Sequence, residues 1–265
     1  MPDINLFCSS NISFGAINKS SLGSTFSVSY PQPITIPPNA KNIQVWCHSL
    51  GAYYTFPNIS ISKSNNTIYF TDDTANYEKY SIVIPDGLYS VDLLSDAISY
   101  ALNQSGFSLS LISLTGDLAT GKVILSYDTA GYATYFKTGV SPYVLLGFNP
   151  DQKVPATGLS TSTSQYTAPN VADFGNLESI TLQCSLVNTA YNNGKTSNVL
   201  ASIPIEVSAG QNIVYNPSNL IKVDAPNLAG STISIINFIL GDQNGVPLDM
   251  AGEDYSLRVV IHYEL

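Results

Sequence analysis

The sequence predicts an all-β protein, an antiparallel jelly-roll sandwich with one inserted amphipathic helix. About a dozen short runs rich in β-branched and aromatic residues are separated by turns that contain Gly, Pro and Asn. Residues 90–104 show the apolar spacing of a helix, and Ser141–Gly147 are typical of a single helical turn. The length of 265 residues suits one large β domain or two small ones. A compact double jelly roll is therefore the alternative architecture.

The C-terminal residues show the clearest strand pattern. Two apolar runs, 231–240 and 255–265, flank a turn sequence that contains Asp242, Asn244 and Gly245. Asn-Gly favours a hairpin because both residues tolerate positive φ. We therefore expect these three residues to form the turn of a closing hairpin, in which they play a structural role.

The second of these runs alternates along its length. Leu257, Val259, Ile261 and Tyr263 fall on one face of the predicted strand. A lone hairpin is marginally stable in water, so the strand needs neighbours on both sides. We expect it to lie centrally in a sheet, with Ile261 and Tyr263 as structural residues.

The predicted helix spans residues 90–104. Its apolar positions recur at intervals of three and four residues, which gives one buried stripe. Ser90 precedes it and is a suitable N-cap, because a serine hydroxyl can accept a hydrogen bond from a free amide of the first turn.

Four segments follow from these patterns. Residues 1–40 are predicted to form an N-terminal arm and an edge strand, and 41–150 the first jelly-roll part with the helix. Residues 151–175 are polar, with almost no large apolar side chain, and are predicted to be a linker or loop. The strands of 176–265 then complete the jelly roll or form a second one.

Charge excludes some functions. The formal net charge is −9, and Arg258 is the sole arginine, so a basic groove for phosphates is not available. We expect no direct nucleic-acid binding. No apolar run approaches the ~20 residues of a membrane-spanning helix, so we expect no membrane span. Only 11% of residues are charged. Such a surface can be covered by neighbouring subunits without desolvating many ions.

No catalytic motif is apparent, and we expect neither enzymatic activity nor a cofactor. The two histidines, His48 and His262, lie in strand-like contexts without the partners that a triad or metal site needs. Cys8, Cys47 and Cys184 are scattered and odd in number, which indicates free thiols in a reducing compartment rather than a disulfide framework.

Two groups of residues suggest a binding site. Asp242 and Asn244 resemble the start of a calcium loop, but the bidentate Glu that should close such a loop is not in a suitable context, and turn formation explains both residues. Several aromatic residues in neighbouring predicted strands could form a carbohydrate platform or could pair across strands; they are Tyr53, Tyr54, Phe56, Tyr69 and Tyr80.

Several short motifs point to a family. They are Ala52–Ile59, Tyr80–Leu94 with its Ile-Pro-Asp-Gly-Leu-Tyr approach to the helix, Leu145-Leu-Gly-Phe148, Leu182–Val187, Ile233–Leu240, Asp242–Leu248 and Leu257–Tyr263. Over about residues 45–265 the chain resembles the jelly-roll capsid proteins of the adenovirus, virophage and polinton group, most of all their minor, penton-type proteins. Residues 1–40 carry no part of this resemblance, and the solitary Arg258 departs from the arginine-containing final hairpin of that family.

The resemblance implies a structural virion protein without catalytic residues. It implies a homo-oligomer, a pentamer if penton-type, which contacts other capsid proteins in an icosahedral shell assembled in the host cytoplasm or nucleus. A trimeric major capsid protein with a double jelly roll is one alternative. A receptor- or carbohydrate-binding β-sandwich, such as a spike or fibre head, is the other.

Overall fold

The chain divides into two compact units. In the computed structural model of the protein, residues 3–161, 164–174, 177–192 and 195–265 are described. Unit 1 comprises Met1–Phe56 and Leu177–Leu265, and unit 2 comprises Pro57–Asn176. Unit 2 is thus inserted into the sequence of unit 1.

The strands in chain order are β1 (Asp3–Ser9), β2 (Ala16–Ile17), β3 (Thr25–Thr35), β4 (Lys41–Tyr53), β5 (Thr67–Thr71), β6 (Tyr80–Val83), β7 (Ile112–Asp117), β8 (Lys122–Tyr127), β9 (Ala133–Phe136), β10 (Gln152–Val154), β11 (Gln165–Thr167), β12 (Ser179–Cys184), β13 (Ala190–Asn192), β14 (Lys195–Ser197), β15 (Val199–Pro204), β16 (Asn212–Tyr215), β17 (Val223–Asp224), β18 (Thr232–Gly241) and β19 (Ser256–Glu264). The helices are α1 (Val91–Gln104) and α2 (Tyr143–Leu146), and Ile12–Phe14 and Pro226–Leu228 form short 3₁₀ helices.

Unit 1 has the strand order of a jelly roll. Its first sheet runs β1-β19-β4-β16, with β17 also paired to β4, and its second sheet runs β15-β12-β18-β3-β2. If β16 and β17 are taken as one strand position, the eight main strands divide as 1-8-3-6 and 5-4-7-2. That wrapped, antiparallel order is the jelly roll. The predicted fold class is confirmed.

Apolar side chains from both sheets fill the space between them. Phe26 of β3 stacks on Phe238 of β18 at a ring-centroid distance of 5.3 Å, and Tyr255 packs edge-on against Phe26 at the same distance. The Tyr255 hydroxyl donates to the carbonyl oxygen of Ser24 at 2.7 Å, so its polar end is satisfied inside the core.

The predicted closing hairpin is wrong. The strand β18 pairs with β12 and β3 in the second sheet, whereas β19 pairs with β1 and β4 in the first. The turn at Asp242 exists, but it reverses the chain only locally, since the Leu248 amide donates to Leu240 at 3.0 Å. Residues 249–255 then lead to the other sheet.

The other expectations for the terminal strand agree with the structure. The strand β19 lies between β1 and β4, and Ile261 is fully buried. Tyr263 is half-buried and packs against the core.

The N-terminal residues do not form a free arm. The strand β1 pairs with β19 along its whole length, from Asp3 opposite His262 to Ser9 opposite Ser256. Residues 3–9 therefore supply an edge strand of the first sheet, because the β19 backbone needs a partner on that side.

Two other segment boundaries also differ. Residues 41–56 belong to unit 1 and 57–150 to unit 2, so 41–150 is not one part of the jelly roll. Residues 151–175 are not a linker, because β10 pairs with β9 and β11 with β8 inside unit 2. Small or medium side chains such as Val154 and Ala168 are buried there in place of large ones.

Unit 2 contains a four-stranded sheet, β10-β9-β5-β6, and a three-stranded sheet, β11-β8-β7. Neither repeats the jelly-roll order. The Ser90 hydroxyl caps α1 by accepting from the Leu93 amide at 3.3 Å. Ser95 joins α1 to β7 by accepting from the Leu114 amide at 2.9 Å. No helix in the described part of the chain is long and apolar enough to cross a membrane.

Candidate functional site

A β-bulge determines what the outer face of the first sheet presents. The pairing of β4 with β19 shifts at His48, which is an extra residue in β4. An extra residue reverses which side chains face the core beyond it. Leu50 accordingly turns inward, and Ser49, Gly51 and Tyr53 line the outer face. Small residues therefore form the floor at the centre of this face.

Two strongly exposed phenylalanines border this floor. Phe7 projects from β1 with 74% of its surface exposed, and Phe14 projects from the 3₁₀ helix with 80% exposed. Together with Ser49, Gly51 and Ser256 they line a depression of about 370 Å³.

A second depression, of about 260 Å³, continues past Phe14 to Tyr53. Phe14, Gly51 and Ser256 line both depressions. Val214 of β16, 70% exposed, lies opposite Gly51 in the sheet. We call this surface the aromatic groove; its residues are Phe7, Phe14, Ser49, Gly51, Tyr53, Val214, Ser256 and Arg258. Asp254 also lines the second depression, where its carboxylate is paired with Lys19.

Arg258 is the cation of the aromatic groove. Its guanidinium lies over the Phe7 ring at 5.1 Å and donates twice to the Asn5 side-chain oxygen, at 2.7 and 3.2 Å. Among the described residues, no carboxylate pairs with Arg258. The groove therefore combines exposed aromatic surface with one uncompensated positive charge.

Asp254 fixes the loop that carries Phe14. Its carboxylate accepts from Lys19 at 2.5 Å, from Asn11 Nδ2 at 2.7 Å and from the Ser10 hydroxyl at 3.1 Å. Partial burial alone would raise the pKa of Asp254, but the bonds from Lys19, Ser10 and Asn11 outweigh it and lower that pKa. The carboxylate thus holds both ends of the 10–19 loop.

Asp254→Asn should lower the free energy of unfolding of unit 1 by about 1 kcal/mol near neutral pH, because charge-assisted bonds are lost at a partly exposed site. Because the pKa of Asp254 is lower in the folded than in the unfolded protein, its carboxylate stabilises the fold. This stabilisation is fully present at a pH above the pKa of an unfolded aspartate, about 3.9, and it is lost as the pH falls through the pKa of the folded state. The free energy of unfolding of both proteins is measured by urea titration at several pH values, followed by the fluorescence of Trp46, the single tryptophan. A difference between the two proteins that grows on acidification would contradict this assignment.

The calcium candidates Asp242 and Asn244 form a turn. Asp242 Oδ1 accepts from the amides of Asn244 at 2.8 Å and Val246 at 2.9 Å, and Gly245 adopts a positive φ of 81°. The Asp242 side chain therefore bonds its own backbone, as turn aspartates do. Within the described ranges, no group of three or more His, Cys, Asp or Glu side chains could hold a metal ion.

The histidines and cysteines occupy structural positions. His262 Nδ1 lies 2.7 Å from Asp3 Oδ1, which ties β19 to β1. All three cysteines are free and buried. Burial raises the pKa of the Cys47 and Cys184 thiols to about 12, so both stay protonated near neutral pH.

The five aromatic residues of the predicted carbohydrate platform do not form one surface within either unit. Tyr53, Tyr54 and Phe56 belong to unit 1, and Tyr69 and Tyr80 to unit 2. In unit 2, Lys137 Nζ lies over the Tyr69 ring at 5.4 Å, and Lys79 Nζ lies over the Tyr80 ring at 5.1 Å. These contacts cover ring faces that a sugar would need.

Sequence reasoning missed the aromatic groove. Phe7 and Phe14 lie in the segment that was expected to be an arm, and no bulge was predicted at His48. The alternation of exposed Phe7 with buried Leu6 and Cys8 was the available signal for a strand here.

Comparison with solved structures finds a likeness to a capsid protein. No protein-family model and no curated protein matches the chain. The crystal structure of the SeMet-labelled mavirus penton protein matches with 11% sequence identity and a TM-score of 0.47, and the match covers 100% of each chain. The jelly-roll assignment itself rests on the strand order of unit 1.

Proposed function

We propose that the protein is a structural capsid subunit that associates with copies of itself in a viral shell. The observation that carries the proposal is the jelly-roll order of unit 1, with a long insertion between its third and fourth main strands, β4 and β12. Capsid proteins, lectins and cupins use this fold, so the choice among them depends on the surfaces and the interior.

The interior of unit 1 favours a structural role. A cupin-type enzyme holds its ligands inside the sandwich, whereas the space between these two sheets is packed with apolar side chains such as Phe26, Leu182 and Phe238. Tyr69 and Tyr80 have lysines over their rings, so they are not the open platform that a lectin needs. The aromatic groove, by contrast, is a surface that another protein can cover.

The finer assignment is a penton-type subunit. The sequence motifs quoted above support it, and so does the presence of one jelly roll with an inserted unit of different strand order. A major capsid protein with a double jelly roll would repeat the jelly-roll order in unit 2. On this proposal the protein forms pentamers, contacts other capsid proteins, and is located in the virion after assembly in the host cytoplasm or nucleus.

Mass measurement in solution, combined with negative-stain imaging, tests the proposal. Pentamers or shell fragments are the expected result, and trimers would favour the major-capsid alternative. A protein that stays monomeric over the whole accessible concentration range would overturn the capsid assignment.

A further inference from the structure

We propose that the aromatic groove is the docking site for a second copy of this chain. The inference rests on the proposed function and adds the surface through which copies meet. It follows from the continuity, the rigidity and the charge of the groove.

Continuity separates this groove from scattered exposed residues. Single exposed apolar side chains are common on protein surfaces, whereas contiguous patches mark contacts. Phe7 and Phe14 line one depression, and Phe14 and Tyr53 line the next. Val214, exposed on β16, extends the apolar surface beside Gly51. The small side chains between the aromatic residues leave room for a protruding group of a partner.

The aromatic groove is held in place before any partner binds. Asp254 fixes the loop of Phe14 through Ser10, Asn11 and Lys19. Asn11 also caps the 3₁₀ helix by accepting from the Ser13 amide at 2.8 Å. Phe7 is on a paired strand and packs against Arg258. Little conformational entropy remains to be lost on association, which favours tight contact by a rigid partner.

The excess of carboxylates on this chain makes a second copy a suitable partner for Arg258. Arg258 has no carboxylate partner among the described residues, so the groove accepts an acidic group. The chain has 19 acidic against 10 basic residues, and three of its lysines, Lys19, Lys79 and Lys137, already pair with carboxylates. A second copy therefore offers carboxylates to Arg258, and this contact together with the apolar surface must outweigh the repulsion between two copies of net charge −9. The strand β1 forms one edge of the sheet, so a neighbour can approach the groove from that side.

Two pairs of matched variants test the docking site. Phe7→Asp and Phe14→Asp place a carboxylate in the aromatic groove, and Ile221→Asp and Ile235→Asp place one at apolar positions outside it that are 61% and 50% exposed. Arg258→Glu is compared with Lys41→Glu, which makes the same change of charge at an exposed position of β4. Native Trp46 fluorescence verifies that each variant is folded.

Sedimentation velocity then gives the dissociation constant between copies. We expect Phe7→Asp, Phe14→Asp and Arg258→Glu each to raise it at least about tenfold, and the three controls to leave it within about twofold. Wild-type assembly that all three groove variants retain would overturn the docking site and leave the capsid proposal standing. Equal weakening in groove and control variants would overturn it too, whereas a monomeric wild-type protein would overturn both proposals.

Discussion

Ile261→Asp should yield insoluble or unfolded protein. Ile261 is fully buried in β19, opposite Ile4 on one side and Val45 on the other. Removing a buried isoleucine costs about 2–5 kcal/mol, and an unpaired carboxylate in the same place adds several more. The sum is comparable with the whole stability of an ordinary domain, about 5–15 kcal/mol.

Ile235→Asp is the matched control for this variant. It makes the same substitution in β18, in the second sheet of the jelly roll, at a position that is 50% exposed. We expect Ile235→Asp to remain soluble with native Trp46 fluorescence, and Ile261→Asp to show the red-shifted emission of an exposed tryptophan. A soluble Ile261→Asp protein with native emission would mean that β19 does not lie between β1 and β4.

The features that the sequence predicted correctly depend on nearby residues. The α1 helix begins after Ser90, and its buried residues Leu94, Ile98 and Leu102 follow the helical spacing. The burial of Ile261 follows from alternation along one strand. Such signals lie within a short stretch of sequence, so they can be recognised without knowing the tertiary structure.

Strand pairing could not be predicted in the same way. The Asp242–Gly245 turn forms as its residues require, but it pairs β18 only with the segment that ends at Leu248. Whether two consecutive strands share a sheet depends on partners far away in sequence, such as Asp3–Ser9 for β19. The first sheet of unit 1 therefore brings together residues 3–9 and 256–264, which no local sequence pattern connects.

The aromatic groove escaped prediction for a related reason. Its floor depends on the bulge at His48, which turns Ser49 outward and Leu50 inward, the reverse of a regular alternation from Ile43. A bulge has no strong sequence signal when the extra residue is not glycine. The position of Phe14 further depends on Asp254, a residue more than two hundred positions away.

Gly147→Ala should destabilise unit 2 by about 2–5 kcal/mol. Gly147 ends α2 with a φ of 76°, which disfavours any residue with a Cβ. A Cβ at this position would also lie 2.4 Å from the Asn170 carbonyl oxygen. That backbone cannot easily retreat, because the Asn170 amide donates to Gly147 at 3.0 Å and the Asp173 amide to Leu145 at 2.9 Å. The Leu145–Phe148 motif thus needs glycine for two separate reasons.

Gly139→Ala separates these two reasons. Gly139 is also in unit 2 and has a φ of 77°, but nothing lies within 4 Å of the Cβ it would gain. The cost of positive φ alone is about 1–2 kcal/mol, and the remainder of the Gly147→Ala effect measures the close approach of Asn170. Hydrogen exchange read out by mass spectrometry on peptides of β5–β9 reports unit 2, while Trp46 fluorescence reports unit 1. Equal loss of protection in the two variants would show that Asn170 yields to the new methyl group, and that Gly147 is required for its backbone conformation alone.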